Sequence, residues 1–312
     1  MKKLVTILAV VCVMAMANFA SADTFGTGDN QFNIDFVPIS GSTNPTSGYG
    51  IVNNDYRMGT YEISNDQWNK FKATYGAVTG SPSTAYNSDP YFTGESVPTN
   101  NVSWYEAAQF VNYLNTSTGH QVAYKFTGTQ GTSGYALGVW QSGEAGYSAS
   151  NPYRNSNAYY FLPTENEWVK AAYWNGTNRQ TYATIGDTTP TQAGWNYYKK
   201  GYATNPYGPW AATSGSQELN GTHNMMGNVW EWMESPYCTG DYLSGSYRGL
   251  RGGSYSSDFA DYLASYFRNI YNPSLDNVFV GIGFRVASVP EPATIAVLSL
   301  GVLGILRRKR TA

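Results

Sequence analysis

Cysteine and histidine are almost absent from this sequence, with two of each among 312 residues. The cysteines are Cys12 and Cys238. Because Cys12 lies in an N-terminal segment that we expect to be removed, the remaining chain has one thiol and no internal disulfide is expected. The sequence also lacks a His-x-x-x-His pair, a Gly-x-Ser-x-Gly elbow and a phosphate-binding loop. The common zinc peptidase, serine hydrolase and P-loop classes are therefore not indicated.

Charge is scarce as well, at 13% of residues, and it is unevenly distributed. The chain has 19 basic and 21 acidic residues, but six of the basic ones lie near its ends, at Lys2, Lys3 and 307–310. Without those six, 13 basic residues remain against 21 acidic ones, a formal net charge of −8. Because nucleic acid binding requires a basic surface, no nucleic acid partner is expected. Cations and neutral polar ligands remain compatible with this charge.

The N-terminus has the features of a secretory signal peptide over residues 1–22. Two lysines precede an apolar run over 4–17, and Ala20-Ser21-Ala22 has the small-x-small pattern that signal peptidase cleaves. The apolar run is short for a membrane span of about 20 residues. Cleavage before Asp23 is therefore favoured over the alternative, a retained membrane helix.

The C-terminus, 289–312, contains a second export-related pattern. Pro290-Glu291-Pro292 precedes an apolar run over 293–306, and the basic cluster 307–310 follows. A short apolar helix before a basic cluster is typical of a stop-transfer segment. This tail resembles the PEP-CTERM sorting signal of Gram-negative bacteria, and the resemblance implies recognition by an exosortase-type protease. The alternative is a plain membrane anchor. Under both hypotheses the central domain is exported to the cell envelope, cell surface or extracellular matrix, and only the tail contacts the membrane.

The chain is rich in glycine and tyrosine, with 33 and 27 residues, and nearly all of them lie in its central part. This composition is typical of loop-rich domains with aromatic packing. Capping boxes, in which a Ser or Thr is followed three residues later by Glu or Gln, predict helices that begin after Ser64, Ser103 and Thr164. Residues 23–49 are expected to form an N-terminal segment with short strands, a strand is predicted over 56–64, and 124–157 and 175–222 are predicted to be irregular. We therefore predict a single irregular, loop-rich α+β domain over 50–288.

Four sequence blocks occur in order along this central part. They are Pro98–Trp104, Leu162–Trp168, Gly227–Trp232, and Arg251–Tyr255 followed by Gly283-Phe284-Arg285. These blocks resemble the formylglycine-generating enzyme family, also called the sulfatase-modifying factor domain. The resemblance implies a variant of the C-type lectin-like fold that is low in regular secondary structure.

The family's activity oxidises a cysteine of a sulfatase to formylglycine, with copper and oxygen. The resemblance implies a copper site of two cysteines that lie just after the Gly-Gly-Ser-Tyr block, where this chain has Ser257 and Tyr262. Cu(I) is a soft ion that requires soft ligands such as thiolates. Because a hydroxyl and a phenol cannot replace two thiolates, copper is not expected and the domain is predicted to be a pseudoenzyme. A related iron site needs three histidines, which this chain also lacks.

Trp230, Ser254 and Arg268 match positions of the family's pocket, so a concave site is predicted to remain without its chemistry. Each residue also has a structural explanation: a tryptophan is commonly part of the core, and Ser254 could cap a turn. The pocket hypothesis and the structural one both stay open on sequence alone.

The segment Asn224–Glu231 has the composition of a calcium-binding turn. Asn224 and Glu231 can supply side-chain oxygens, and Gly227 and Val229 can supply carbonyl oxygens, which are the ligands that calcium prefers. The matching family positions hold a structural calcium ion. Structural calcium is therefore predicted, and a metal-free turn is the alternative.

Three hypotheses for function follow. The first is an exported, non-catalytic surface or matrix domain that binds a glycan or another component of the envelope or exopolysaccharide. The second is a divergent formylglycine-generating-type oxidoreductase that acts on a sulfatase cysteine. The third is a structural spacer without a discrete ligand. The missing thiols favour the first hypothesis over the second.

Overall fold

The computed structural model describes residues 21–86, 89–198, 207–274 and 281–290. Three α-helices are present there: α1 (Asn65–Tyr75), α2 (Trp104–Ser117) and α3 (Glu165–Tyr173). Each begins with a capping box, in which the side chains of Ser64, Ser103 and Thr164 accept from the amide three residues later. The three helix starts predicted from the sequence are therefore confirmed.

Eleven short strands complete the regular structure of the described residues. They are β1 (Ser21–Phe25), β2 (Phe32–Ile39), β3 (Tyr56–Gly59), β4 (Phe126–Thr127), β5 (Ala136–Leu137), β6 (Tyr160–Phe161), β7 (Trp230–Pro236), β8 (Arg248–Arg251), β9 (Asn269–Tyr271), β10 (Ile282–Gly283) and β11 (Ala287–Ser288). The only further regular elements described are single 3-10 turns at Gly28–Asn30, Ser83–Tyr86 and Ala260–Leu263.

The larger sheet has the antiparallel order β1-β2-β3-β11-β6. It brings the two ends of the domain together, because β11 inserts between β3 and β6. Residues 23–49 contribute most of β1 and all of β2, so the sheet extends back before residue 50. The strand predicted over 56–64 ends at Gly59, because the amide of Ile63 instead donates to the carbonyl of Phe284.

The second sheet has the order β10-β7-β8-β9, with β10 parallel to β7, and a small hairpin pairs β4 with β5. Between the two main sheets, α1 and α2 bury an aromatic core. The ring of Phe110 lies 5.1 Å from Phe71, 5.4 Å from Phe284 and 5.9 Å from Trp68, and these four residues are 0–2% exposed. The described domain has few helices and no disulfide. The large rings in contact bury apolar surface, and this burial stabilises the fold.

The structure is α+β with irregular connections, as the sequence predicts. Within 124–157 only the β4–β5 hairpin forms, and the described part of 175–222 has no helix or strand. Within the described residues, no helix combines the length and hydropathy needed to span a membrane. The predicted signal peptide, apart from its last two residues, and the tail beyond Pro290 lie outside the described residues.

Candidate binding site around the Gly252–Ser257 turn

Two turns pack backbone against backbone at one end of the second sheet. The turn over 224–229 precedes β7, and the turn over 252–257 follows β8. The amide of Gly227 donates to the carbonyl of Gly252 over 2.8 Å, and the amide of Tyr255 donates to the carbonyl of Asn228 over 2.9 Å. Gly252 has a φ of 96°, and a Cβ there would lie 2.8 Å from the carbonyl oxygen of Met225. Glycine is required at this position because the two backbones approach so closely.

The two positions that match the family's copper cysteines both lie close to Gly253. A Cβ on Gly253 would lie 3.2 Å from the Oγ of Ser257 and 3.3 Å from the carbonyl oxygen of Tyr262. Ser257 is buried, and its Oγ accepts from the amide of Ser254 over 2.9 Å. Its role is therefore to close the turn. A hydroxyl and a phenol do not fit a soft Cu(I) ion, and the thiol of Cys238 is exposed in the loop after β7.

Aromatic rings fill the space beside these positions. The ring of Tyr262 packs edge-on against Phe267 with centroids 4.6 Å apart, and Phe267 lies 5.9 Å from Trp230. Trp230 is 8% exposed and Ser254 is 1% exposed. The two residues lie near each other, since both contact the backbone around Gly281. Both side chains are therefore buried, and a pocket formed by them stays a prediction.

The third predicted pocket residue, Arg268, has its guanidinium elsewhere. Its Nε and Nη2 donate to the two carboxylate oxygens of Glu165 over 2.8 and 2.7 Å. The same guanidinium lies over the rings of Tyr49 and Tyr237, 5.1 and 4.1 Å from their centroids. Burial opposes the positive charge, but the bond to Glu165 raises the pKa of Arg268 above its ordinary value. The guanidinium of Arg268 is therefore engaged by Glu165, and its place in a pocket with Trp230 and Ser254 stays a prediction.

The predicted calcium segment forms a turn with a left-handed backbone at Asn224, Gly227 and Asn228, whose φ values are 57°, 87° and 61°. Glu62 faces this turn. Its carboxylate accepts from Asn228 Nδ2 over 2.7 Å, from Asn224 Nδ2 over 3.3 Å and from the Val229 amide over 3.3 Å. Burial raises the pKa of Glu62 well above its usual range, Glu231 adds to the rise and Arg285 opposes it.

Glu231, the one carboxylate of the predicted calcium set, already has strong partners. Arg285 donates to both of its oxygens over 2.6–2.9 Å, and Trp168 Nε1 donates to Oε2 over 2.6 Å. Glu231 would fit a calcium ion only after leaving this ion pair, so calcium at Asn224, Gly227, Val229 and Glu231 stays a prediction. In the described part of the chain, no group of three or more His, Cys, Asp or Glu side chains is arranged to hold a metal ion.

The buried ion pairs are the main feature that sequence reasoning missed. For the acids at the start of α3, the sequence pattern predicts only a capping box. Glu167 does cap α3, but it also pairs with Arg154, and Arg251 and Arg268 share Glu165. An available signal was the presence of arginines inside the identifying blocks, at Arg251 and Arg285, because an arginine in an apolar block needs a carboxylate partner when buried.

A band of aromatic rings, missed as well, adjoins the 252–257 turn at the surface. We call Tyr91, Phe92, Tyr255 and Tyr207 the aromatic band. Successive ring centroids lie 5.0, 5.2 and 5.2 Å apart, and each contact is edge-to-face. Tyr198 continues the series, 6.0 Å from Tyr207. The abundance of tyrosine was the only sequence signal, and it does not reveal which rings meet.

The fold and the two packed turns define a class: an irregular α+β domain of the formylglycine-generating-enzyme variant of the C-type lectin-like fold. The chain belongs to the family described as the sulfatase-modifying factor enzyme 1-like domain, whose match covers residues 21–289. A PEP-CTERM protein-sorting motif matches residues 288–310. The motif indicates an exported, envelope-associated protein that is processed by an exosortase-type system.

Similar proteins differ in their described roles. A hercynine oxygenase of Mycolicibacterium thermoresistibile is 34% identical over 139 residues, which cover 39% of this chain and 30% of the oxygenase. The chain thus spans about a third of that relative's length. Among solved structures, Treponema denticola variable protein 1 is 22% identical with a TM-score of 0.60, covering 86% of this chain and 99% of its own. CarF is 20% identical with a TM-score of 0.60, covering 83% and 99%. These structures support the fold.

Proposed function

We propose that this chain is an exported, non-catalytic member of its family that binds a component of the cell envelope or exopolysaccharide. One observation carries the proposal: the positions of the family's copper cysteines hold Ser257, whose hydroxyl closes a turn, and Tyr262, whose ring packs against Phe267. Neither group can be a ligand of Cu(I) in the manner of a thiolate. The side chains of Ser257 and Tyr262 contribute to packing, whereas the family's oxidation chemistry needs two thiols at these positions.

The rest of the domain supports a binding role. The interior that shapes the two turns is intact, with Gly252 and Gly227 in close backbone contact and Arg285 paired with Glu231. A fold can keep its architecture while its reactive groups change, because activity depends on the site rather than on the scaffold. The sorting motif places such a domain in the envelope, where surface polymers are accessible ligands.

The alternative is an oxidoreductase, and the similarity to hercynine oxygenase is the observation that favours it. The two histidines have structural surroundings. His120 stacks on Tyr159 with centroids 4.4 Å apart, and His223 lies against Tyr61 at 5.2 Å. A divergent formylglycine-type oxidase would have to act on a sulfatase cysteine without the thiol pair.

The test is an oxidation assay of the purified chain with a cysteine-containing sulfatase peptide, Cu(I) and oxygen. Mass spectrometry of the peptide should show no formylglycine above a protein-free control. A parallel incubation with hercynine, a thiol donor, Fe(II) and oxygen should leave hercynine unconsumed. Product in either assay, at a rate that scales with protein concentration, would contradict the non-catalytic proposal.

A restored variant provides the matched control. In Ser257→Cys/Tyr262→Cys, both thiols would flank Gly253, so the variant should bind Cu(I) that the natural chain does not retain. Competition with a chromogenic Cu(I) chelator measures this. Equal copper retention by both proteins would show that the thiol positions do not decide copper binding.

A further inference from the structure

The aromatic band combines exposure with mutual packing. Tyr91 is 65% exposed and Tyr207 is 54% exposed, while Tyr255 between them is only 5% exposed. Phe92 links Tyr91 to Tyr255 through edge-to-face contacts. Exposed aromatic rings in contact with one another form an interaction surface, in contrast to single exposed rings, which are common on proteins.

Three of the four residues of the band are tyrosines, and the ring of Tyr207 contacts that of Tyr255. The pKa of Tyr255 is raised to about 12, mainly by burial and also by the nearby phenols of Tyr207 and Tyr91. Within the described residues, no hydrogen bond is made by the phenol oxygen of any of these three tyrosines. Some other tyrosine phenols are bonded within the protein, as in the donation from Tyr153 to the carbonyl of Leu243 over 2.7 Å. The band therefore offers three neighbouring hydroxyls, each a donor and an acceptor, beside apolar ring faces.

The backbone beneath the band is held in place by one amide side chain. Asn100 Oδ1 accepts from the amides of Tyr91 and Phe92 over 2.9 and 3.1 Å, and its Nδ2 donates to the carbonyl of Phe92 over 3.1 Å. The Phe92 ring packs against Gly208, where a Cβ would lie 2.8 Å from the ring. These contacts fix the rings before any ligand arrives, which reduces the entropy lost on binding.

We infer that the aromatic band binds a neutral polysaccharide, with the apolar faces of its sugar rings on Tyr91 and Tyr207 and its hydroxyls bonded to the phenols. The inference rests on the proposed binding function and names its site and ligand class. Sugar rings present apolar C–H faces and equatorial hydroxyls, which match a surface of rings and phenols. The formal charge of −8 outside the basic ends disfavours acidic polymers, because like charges repel.

The test is affinity electrophoresis of the full chain in mild detergent, in gels that contain a neutral β-glucan, a galactomannan, dextran or acidic alginate. The natural chain should be retarded by at least one of the neutral polymers. Tyr91→Ala/Tyr207→Ala should bind that polymer about tenfold more weakly, since two stacking contacts are lost. Tyr91→Phe/Tyr207→Phe should bind with an intermediate affinity, because it keeps the ring faces and loses two phenols.

Tyr247→Ala is the matched control, because Tyr247 is 53% exposed but makes no ring contact with the other described residues. It should bind like the natural chain. Circular dichroism confirms that each variant is folded. Absence of retardation in all neutral gels, retardation by alginate alone, or equal retardation of the natural chain and Tyr91→Ala/Tyr207→Ala would overturn the inference. The proposed non-catalytic function fails separately, through product in the oxidation assays.

Discussion

The buried ion pairs adjoin the 224–229 and 252–257 turns, as do the two positions that match the family's copper cysteines, and these two groups of side chains differ in their partners. In the interior, Arg285 pairs with Glu231 over 2.6 Å and Arg251 pairs with Glu165 over 2.7 Å, with all four side chains at most 3% exposed. Beside these pairs, the two positions that match the family's copper cysteines hold the hydroxyl of the buried Ser257 and the half-buried phenol of Tyr262. The ion pairs hold the segments around the turns together, whereas under the proposed function the two matched positions serve packing and perform no chemistry.

The interior pairs join segments that are distant in sequence. Glu231 and Arg285 are 54 residues apart, and Arg251 and Glu165 are 86 residues apart. Each pair connects two segments whose intervening chain is largely irregular. A buried pair does not by itself prove a large gain in stability, because removing two charges from water is costly. Removing one partner of a buried pair nevertheless lowers stability strongly, because the charge of the other partner stays buried without a counterion.

The largest expected effect comes from breaking the central pair. Arg285→Met keeps much of the side-chain volume but leaves Glu231 buried without its counterion, and it removes donations to the carbonyls of Gly59 and His223. We expect the free energy of unfolding to fall by about 3–5 kcal/mol. Denaturant unfolding followed by tryptophan fluorescence measures the change.

Two further variants test the reason for this loss. Arg285→Met/Glu231→Gln removes the stranded charge and should recover part of the stability. The exposed pair between Lys72 and Asp89, 3.4 Å apart, provides the contrast, and Lys72→Met should cost less than about 1 kcal/mol. Similar losses in Lys72→Met and Arg285→Met would show that burial does not distinguish the two pairs.

A second prediction concerns Glu218, which belongs to the same interior. Burial raises its carboxyl pKa from 4.5 to about 7, although its oxygens accept from the amides of Met225 and Met226 over 2.9 and 3.0 Å. The folded protein therefore holds this proton more tightly than the unfolded chain. Protonated Glu218 therefore contributes up to about 3 kcal/mol to the free energy of unfolding. This contribution is fully present below pH about 4.5 and is lost as the pH rises to about 7.

Glu218→Gln should remove this part of the pH dependence. The free energy of unfolding, measured from pH 4.5 to pH 8, should decline less in the variant than in the natural chain. Glu95→Gln, at an exposed position, controls for the loss of one carboxylate and should retain the decline. Parallel profiles for Glu218→Gln and the natural chain would mean that other groups cause the pH dependence.

The local parts of the fold could be predicted from sequence, and the long-range parts could not. The capping boxes at Ser64, Ser103 and Thr164 involve residues three positions apart, so the pattern itself contains the interaction. The family resemblance predicted the fold class, because its blocks contain the glycines that the close backbone contacts require. The insertion of β11 between β3 and β6 depends on residues more than 120 positions apart, which no local pattern records.

The site divides in the same way. The absence of the two copper cysteines, with Ser257 and Tyr262 at their positions, can be predicted from the sequence, because this requires only a comparison of residue types at matched positions. The partners of Glu231 and Arg268 cannot be predicted from the sequence, because an acid beside a turn can bind a metal cation or an arginine equally well. The grouping of Arg268 with Trp230 and Ser254 follows from the family resemblance, which does not reveal that Arg268 pairs with the buried Glu165.

The smallest expected effect concerns calcium at the 224–229 turn, where the structure sharpens the prediction. An ion that binds only the folded protein stabilises it by about 2.7 kcal/mol at a hundredfold excess over its dissociation constant. Because Glu231 is held by Arg285, its oxygens become available to an ion when that arginine is removed. If the predicted set binds calcium, CaCl2 should therefore raise the melting temperature of Arg285→Met more than that of the natural chain. Arg285→Met/Glu231→Gln should lose the extra rise. If calcium and chelation leave the melting temperature of all three proteins unchanged, the calcium prediction is wrong. The turn would then be stabilised by Glu62 and its amide partners without a metal ion.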